Sequence, residues 1–382
     1  MKKIYILVIT MTLVSCTPMR KLYVKYGEAK PKLENEDRSV MRIFFDRYGT
    51  LYPNITISDT KIMDNDSDLD MVYKNNKDLL QLACISNGLP ADGTADMLQQ
   101  KIIDDILKQI NLAAKNKQVI LLIHGFNKHP FKPIDSNSVA EFKLMREKIV
   151  NTYPNKQFQF VEVYWDGCTW ANGSDSELIK ARNSIKIWDN AQAASNFVGV
   201  ELRKILTKID NDDTIVITHS LGASVITTAL FNVDKFDLEK KDNDFRKEIL
   251  KAYEKTDTPT KKFRIGMLAA AIPGENTFDD YLKRTPEKSI IFDNYDFVLG
   301  YNTNDFIITK WILAGKFGST TLGSRLNEIN ATNTILKGFK VKQIEPISFS
   351  FYSNDTPQKE HAFRAYIANT KAMDIFLDKL LK

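Results

Sequence analysis

The sequence predicts an α/β fold, a mostly parallel central sheet with helices on both faces. Three observations carry that expectation. From residue 95 onward, short apolar runs alternate with helical patterns, the order that builds βαβ units around a parallel sheet. Two of these runs, 119–123 and 214–218, stop abruptly at His-Gly-Phe-Asn and His-Ser-Leu-Gly. Such junctions belong at the carboxyl edge of a parallel sheet, where ligands bind. Composition is globular, with 43% hydrophobic and 26% charged residues, and no repeat or low-complexity tract interrupts it.

Taken in order, Val40 to Phe45 and Ile55 to Ile62 read as early strands. A polar insertion follows, with the acidic cluster Asp64-Asn-Asp-Ser-Asp-Leu-Asp70. It lacks the glycine and terminal glutamate of an EF-hand loop and reads as a solvated loop. Leu79 to Cys84 has an apolar helical pattern, and Met97, Ile102, Ile103, Ile106, Ile110 and Ala113 recur at helical spacing from Ala95. That helix leads into the strand Val119–Ile123. A helix from Val139 to Val150, a strand from Gln159 to Trp165 and an amphipathic stretch from Ile185 to Ile209 come next. Beyond the 214–218 strand, the pattern gives a helix from Ala223 to Phe231, then strands at Phe263–Ile272, Asp296–Tyr301 and Ile347–Tyr352. A final helix covers Ala362 to Leu381.

The segment Thr214-Ile-Val-Ile-Thr-His-Ser-Leu-Gly-Ala-Ser224 carries the chemistry. It reads as strand, sharp turn and helix, with Ser220 at the apex above a helix N-terminus, the geometry a serine nucleophile needs. Residues two before and two after such a serine must be small, because strand and helix approach closely. Gly222 fits, and Thr218 is larger than the usual glycine. An ordinary strand-to-helix turn containing a serine is the other reading of this segment.

A serine hydroxyl needs a base held in the right tautomer by a carboxylate. The chain has 4 histidines. His219 adjoins Ser220 and should leave the turn on the other side, a structural role. His124 opens the loop after the 119–123 strand and reads as a buried loop organiser, with the N–H groups of Phe126 and Leu221 facing an oxyanion. His129 sits in Lys-His-Pro-Phe, a surface loop; with no further ligands beside His124 and His129, no metal site is expected. His361 lies between the last strand and the last helix, where a mobile general base belongs. Asp305, at the end of the 296–301 strand, is the preferred acid; Glu275, one strand earlier, is the alternative. Asp279 and Asp280 read as a solvated face. Trp165, Trp170 and the apolar residues of 306–323 either shape an acyl pocket or pack in the core.

Together these pieces resemble the α/β-hydrolase superfamily, and within it a bacterial group of esterase- or lipase-like proteins. The matching residues are His124-Gly-Phe-Asn127, Thr218-His-Ser-Leu-Gly222, Ala269-Ala-Ala-Ile-Pro273, Asn304-Asp305 and His361. Trp311, Leu313, Ala314, Gly315 and Leu322-Gly323 look like that group's loop between acid and histidine. The resemblance covers roughly residues 95–382. It implies the α/β-hydrolase fold, the chain order Ser, Asp, His, and hydrolysis of lipid or short acyl esters with no metal or organic cofactor. The sequence departs from the group at Thr218 and at Ile272-Pro-Gly-Glu275, where members carry an acid just after the strand. A non-catalytic cell-envelope binding protein on the same scaffold, or an acyltransferase, is the alternative function.

At the front, Met1-Lys-Lys3 precedes an apolar core from Ile4 to Val14. That core is too short to span a bilayer, which takes about twenty residues. It ends Leu13-Val14-Ser15-Cys16, which resembles a bacterial lipobox. The expected organisation is a signal peptide at 1–15, a lipidated tether at 16–37, N-terminal strands and insertion at 38–94, and the catalytic domain at 95–382. Acyl chains on Cys16 would hold the protein to a membrane, expected to be the outer membrane on its periplasmic side. Cys84 and Cys168 could pair there, but buried free thiols are the expectation. The net charge of +5 is spread along the chain without a basic stripe, so nucleic acid is not an expected partner.

Overall fold

Eight strands form one sheet in the order β2-β1-β4-β3-β5-β6-β7-β8. In chain order they are β1 (Val40–Phe45), β2 (Leu51–Pro53), β3 (Gln118–Ile123), β4 (Phe158–Trp165), β5 (Asp213–His219), β6 (Lys262–Leu268), β7 (Tyr295–Tyr301) and β8 (Glu345–Ser348). Every neighbouring pair is parallel except the β1–β2 hairpin. The computed structural model describes residues 39–53, 77–126, 138–165, 167, 177–231, 261–278, 294–309, 320–338 and 340–382. The expected strand at 55–62, the 64–70 acidic cluster and the proposed leader and tether with Cys16 lie outside them.

Helices cover the sheet because its inner strands are buried throughout. All eight residues of β4 and five of six in β3 are buried, the signature of strands packed on both faces. One group of helices comprises α1 (Lys77–Ser86), α2 (Ala95–Ala113), α4 (Glu177–Leu206) and α5 (Gly222–Leu230). The other comprises α3 (Ser138–Thr152), α8 (Phe363–Ala368) and α9 (Thr370–Leu381), the last packed on β6, β7 and β8. Two shorter excursions, α6 (Phe306–Thr309) and α7 (Leu326–Gly338), leave the carboxyl end of β7. Thr94 caps α2, its hydroxyl accepting from Met97 N–H. Fully buried Arg203 donates to the carbonyls of Thr228, Ala229 and Phe231, a cation seated on the carbonyl end of α5. No helix among the described residues is long and apolar enough to cross a membrane.

Several boundaries differ from the sequence expectation for identifiable reasons. β1 pairs in parallel with β4, so the N-terminal strand expected before residue 95 joins the central sheet. The strand expected over 263–272 stops at Leu268, because Ala269 takes φ +52° and turns the chain. β8 ends at Ser348, and the following residues turn out into a loop. The last helix divides at Asn369, whose side-chain amide is drawn off to the carbonyl of Phe351 and to Gln358 Oε1. Cys84 is a buried free thiol, and Cys168 lies outside the described residues.

Two buried charged groups hold the β1 edge. Glu162 of β4 is fully buried and accepts from Arg42 Nε at 2.8 Å and from the Tyr164 hydroxyl at 2.7 Å. Arg146 Nε completes the cluster as an ion pair at 2.9 Å. Removing one partner from such a set leaves an uncompensated buried charge, a cost of about 3–5 kcal/mol. Asp46, at the end of β1, accepts from the N–H groups of Tyr48 and Thr50 through one oxygen. Its other oxygen is buried with no partner among the described residues, and burial pushes its pKa up to about 7. The folded state therefore holds this proton more tightly than the unfolded chain does. Stability should fall as pH rises from about 4 to about 7 and level off above it. Asp46→Asn should lose that slope and exceed the wild type at pH 8 by up to about 4 kcal/mol, read by urea unfolding across pH. Parallel profiles for the two proteins would contradict it.

Candidate active site

Ser220 sits where β5 breaks directly into α5. Its φ is +52°, a left-handed conformation that costs a non-glycine residue about 1–3 kcal/mol and persists only when neighbours over-determine it. They do so here. Ser220 N–H donates to Leu268 O at 2.9 Å, and its carbonyl accepts from Ala223 and Ala271 N–H, each at 3.1 Å. The loop after β3 presses on the same turn. A Cβ on Gly125 would lie 2.7 Å from Ser220 Cβ, and one on Gly222 would lie 2.8 Å from the carbonyl oxygens of Ile123 and His124. Thr218 fits two residues before the serine. It is fully buried, with its hydroxyl toward Gly266 O at 3.5 Å.

A hydrogen-bonded chain runs from this serine. His361 Nε2 lies 3.0 Å from Ser220 Oγ, and His361 Nδ1 lies 2.7 Å from Asp305 Oδ2. A carboxylate only accepts, so Nδ1 carries the proton and Nε2 is the acceptor facing the serine hydroxyl. Asp305 is wholly buried and its carboxylate is well supplied with donors. Oδ1 accepts from Ile307 and Ile308 N–H at the start of α6, and Oδ2 accepts from the Tyr366 hydroxyl at 3.2 Å as well as from His361. Burial, with the Asp305 carboxylate beside it, pushes the Tyr366 phenol well above its usual pKa, so it stays a donor.

The loop that delivers His361 is pinned by amides. Asn302 donates to Gln358 O at 2.9 Å, Asn304 to Ser350 O at 2.6 Å, and Asn369 to Phe351 O at 3.0 Å. His219 Nε2–H donates to the His361 carbonyl at 2.8 Å, so this histidine ties the His361 backbone to the strand carrying the serine. Its ring also stacks on Phe363. Tyr366, Asn302, Asn369 and the His219 contact went unread in the sequence. Tyr366 follows five residues after His361, and only that proximity could have drawn attention to it.

The loop after β3 is organised by His124, nearly fully buried. Its Nε2 accepts from Trp165 N–H at 3.0 Å, its carbonyl accepts from Trp165 Nε1 at 2.8 Å, and the two rings stack at 5.5 Å. With Nε2 an acceptor, Nδ1–H donates to Gly125 O at 2.7 Å. Trp165 is therefore a core residue shaping this loop rather than a pocket wall. The backbone of Phe126 follows directly, and among the described residues neither its N–H nor that of Leu221 has an acceptor.

Glu275 does not join this chain. It is exposed on a helical turn at 274–278 beyond β6, while the carboxylate on His361 is that of Asp305. His129, Trp170, Asp279, Asp280 and 310–319 lie outside the described residues. Among the described residues no group of His, Cys, Asp or Glu is placed to hold a metal ion.

No protein-family model matches this chain, and a search of curated proteins returns no match. Tyr366→Phe removes one donor from a buried carboxylate while keeping the ring. It should cost about 1.5–3 kcal/mol of stability, measured by chemical denaturation; an unchanged unfolding free energy would show that the hydroxyl contributes nothing.

Proposed function

We propose that the protein is a serine hydrolase of the α/β-hydrolase fold that cleaves carboxylic esters. The observation that carries this reading is the Ser220–His361–Asp305 chain, with contacts of 3.0 and 2.7 Å, centred on a serine in a left-handed turn. Strand, strained turn and helix around the serine, a loop after β3 beside it, and the chain order Ser, Asp, His all fit that fold.

His361 Nε2 takes the proton of Ser220 as its oxygen adds to the ester carbonyl carbon. The carbonyl oxygen becomes an anion facing the N–H groups of Phe126 and Leu221, donors fixed in place before reaction. Collapse breaks the carbon–oxygen bond to the alcohol, which receives the proton from His361 and leaves an acyl-Ser220. Water then attacks the acyl carbon with His361 again as base, releasing the carboxylic acid and restoring the serine. Asp305 holds the imidazole in the tautomer that accepts at Nε2 and stabilises the imidazolium between steps. The chemistry of this cycle uses side chains and backbone alone. In this reading Cys16 carries a lipid that keeps the enzyme at the cell envelope, on the membrane face where acyl esters are found.

Ser220→Ala should lower kcat for any ester the protein cleaves by about 10³-fold or more, and His361→Ala by a similar factor, because members of such a unit fail together. The check is acid release from short-chain esters at matched protein concentration. Hydrolysis that survives Ser220→Ala contradicts the mechanism. A folded wild type that cleaves no ester would leave a binding scaffold in its place.

A further inference from the structure

A cavity of about 650 Å³ opens between residues 273–276 and 321–328, a size typical of small-molecule sites. Its walls grow out of the serine turn. Ala271 N–H bonds the Ser220 carbonyl, Gly323 N–H bonds Ala270 O, and Leu322 N–H bonds Ile272 O. The two wall segments therefore leave the nucleophile side by side. Pro273 stands two residues past Ala271, a reach of at most about 7 Å.

Strand order fixes which side of the serine this is. β3, which brings Phe126, neighbours β5 on one side; β6, β7 and β8 lie on the other. Those strands bring the cavity wall, Asp305 and His361. Arg325, on the cavity rim, also reaches Thr309 O at 3.4 Å, in the helix opened by Asp305. The cavity thus lies on the proton-returning side of the serine, where the alcohol half of an ester departs.

The floor is built rather than incidental. Glu328 accepts from Gly274 N–H at 2.7 Å and from the Thr321 hydroxyl, and burial raises its pKa. A Cβ on Gly274 would strike the Thr332 hydroxyl at 2.4 Å. Around the exposed rim stand the Glu275 carboxylate, the amides of Asn276 and Asn327, and the Arg325 guanidinium. Acceptors and donors are both present there, a match for hydroxyl groups, each of which does both. Two carboxylates against one guanidinium do not favour an anionic ligand.

Resting on the catalytic reading above, we infer that this cavity is the leaving-alcohol subsite of the hydrolase and takes a hydroxyl-rich alcohol, a polyol or a sugar. Glu275, weighed from the sequence as an acid of the triad, then acts as an acceptor for substrate hydroxyls.

The test compares acetate release from 6-O-acetylglucose and glyceryl monoacetate with that from ethyl acetate. The wild type should prefer the polyhydroxylated alcohols at least about tenfold in kcat/KM, chiefly through KM. Glu275→Ala combined with Asn327→Ala, both exposed positions where substitution spares the fold, should collapse that ratio toward one. A wild type active on all three acetates without preference overturns the subsite alone, as does a ratio untouched by the double substitution. No turnover of any acetate by folded protein overturns the catalytic reading and this one with it.

Discussion

The close approach of three chain segments at the carboxyl ends of β3, β5 and β6 is the constraint on which the rest of the site depends. Ser220 holds a backbone conformation that it would not adopt alone, and it is kept there from two directions. On one side the loop after β3 packs so tightly that neither Gly125 nor Gly222 could carry a Cβ without collision. On the other, Leu268 and Ala271 bond its N–H and carbonyl, and Ala269 pays a matching left-handed turn. Strain at one residue is thus balanced by satisfied backbone groups at its neighbours. The same packing seats Gly125, and with it the start of the Phe126 backbone, against the serine turn.

A second layer fixes the polar side chains that meet the serine. Asp305 carries two backbone donors on one oxygen and His361 and Tyr366 on the other. A buried carboxylate with this many donors has its oxygens hydrogen-bonded rather than left without partners. His361 comes from a loop, an element that would ordinarily be mobile, yet three asparagines and His219 tie its backbone to β7, β5 and the last helices. The position of His361 is fixed by these amide contacts.

What the sequence made legible followed from local rules. Alternating apolar runs and helical periods located β3, β4, β5, β7 and α2 nearly to the residue, along with the start of β6, because those elements bury regular patterns. The turn at Ser220 was readable from an apolar strand stopping at His-Ser-Leu-Gly, and His361 and Asp305 from their places between elements; the structure brings these three side chains into one hydrogen-bonded chain. Elements whose ends depend on tertiary contacts were not readable. Nothing local in Phe263–Ile272 announces that Ala269 must turn to meet Ser220, and nothing near Asn369 announces that its amide is wanted by Phe351. Thr218 looked too large beside the serine because the sequence hides the Gly266 carbonyl that receives it. Tyr366 and His219 act through partners more than sixty residues distant or across the sheet, and such pairings appear only once the chain is folded.

Whether Ser220 is an activated nucleophile is measured directly by a fluorophosphonate, which reacts only with such a serine. Peptide mass mapping of the labelled chain lacking residues 1–16 should place the phosphonyl group on Ser220, with labelling lost in His361→Ala. Label on another residue, or none on a well-folded protein, would contradict the account.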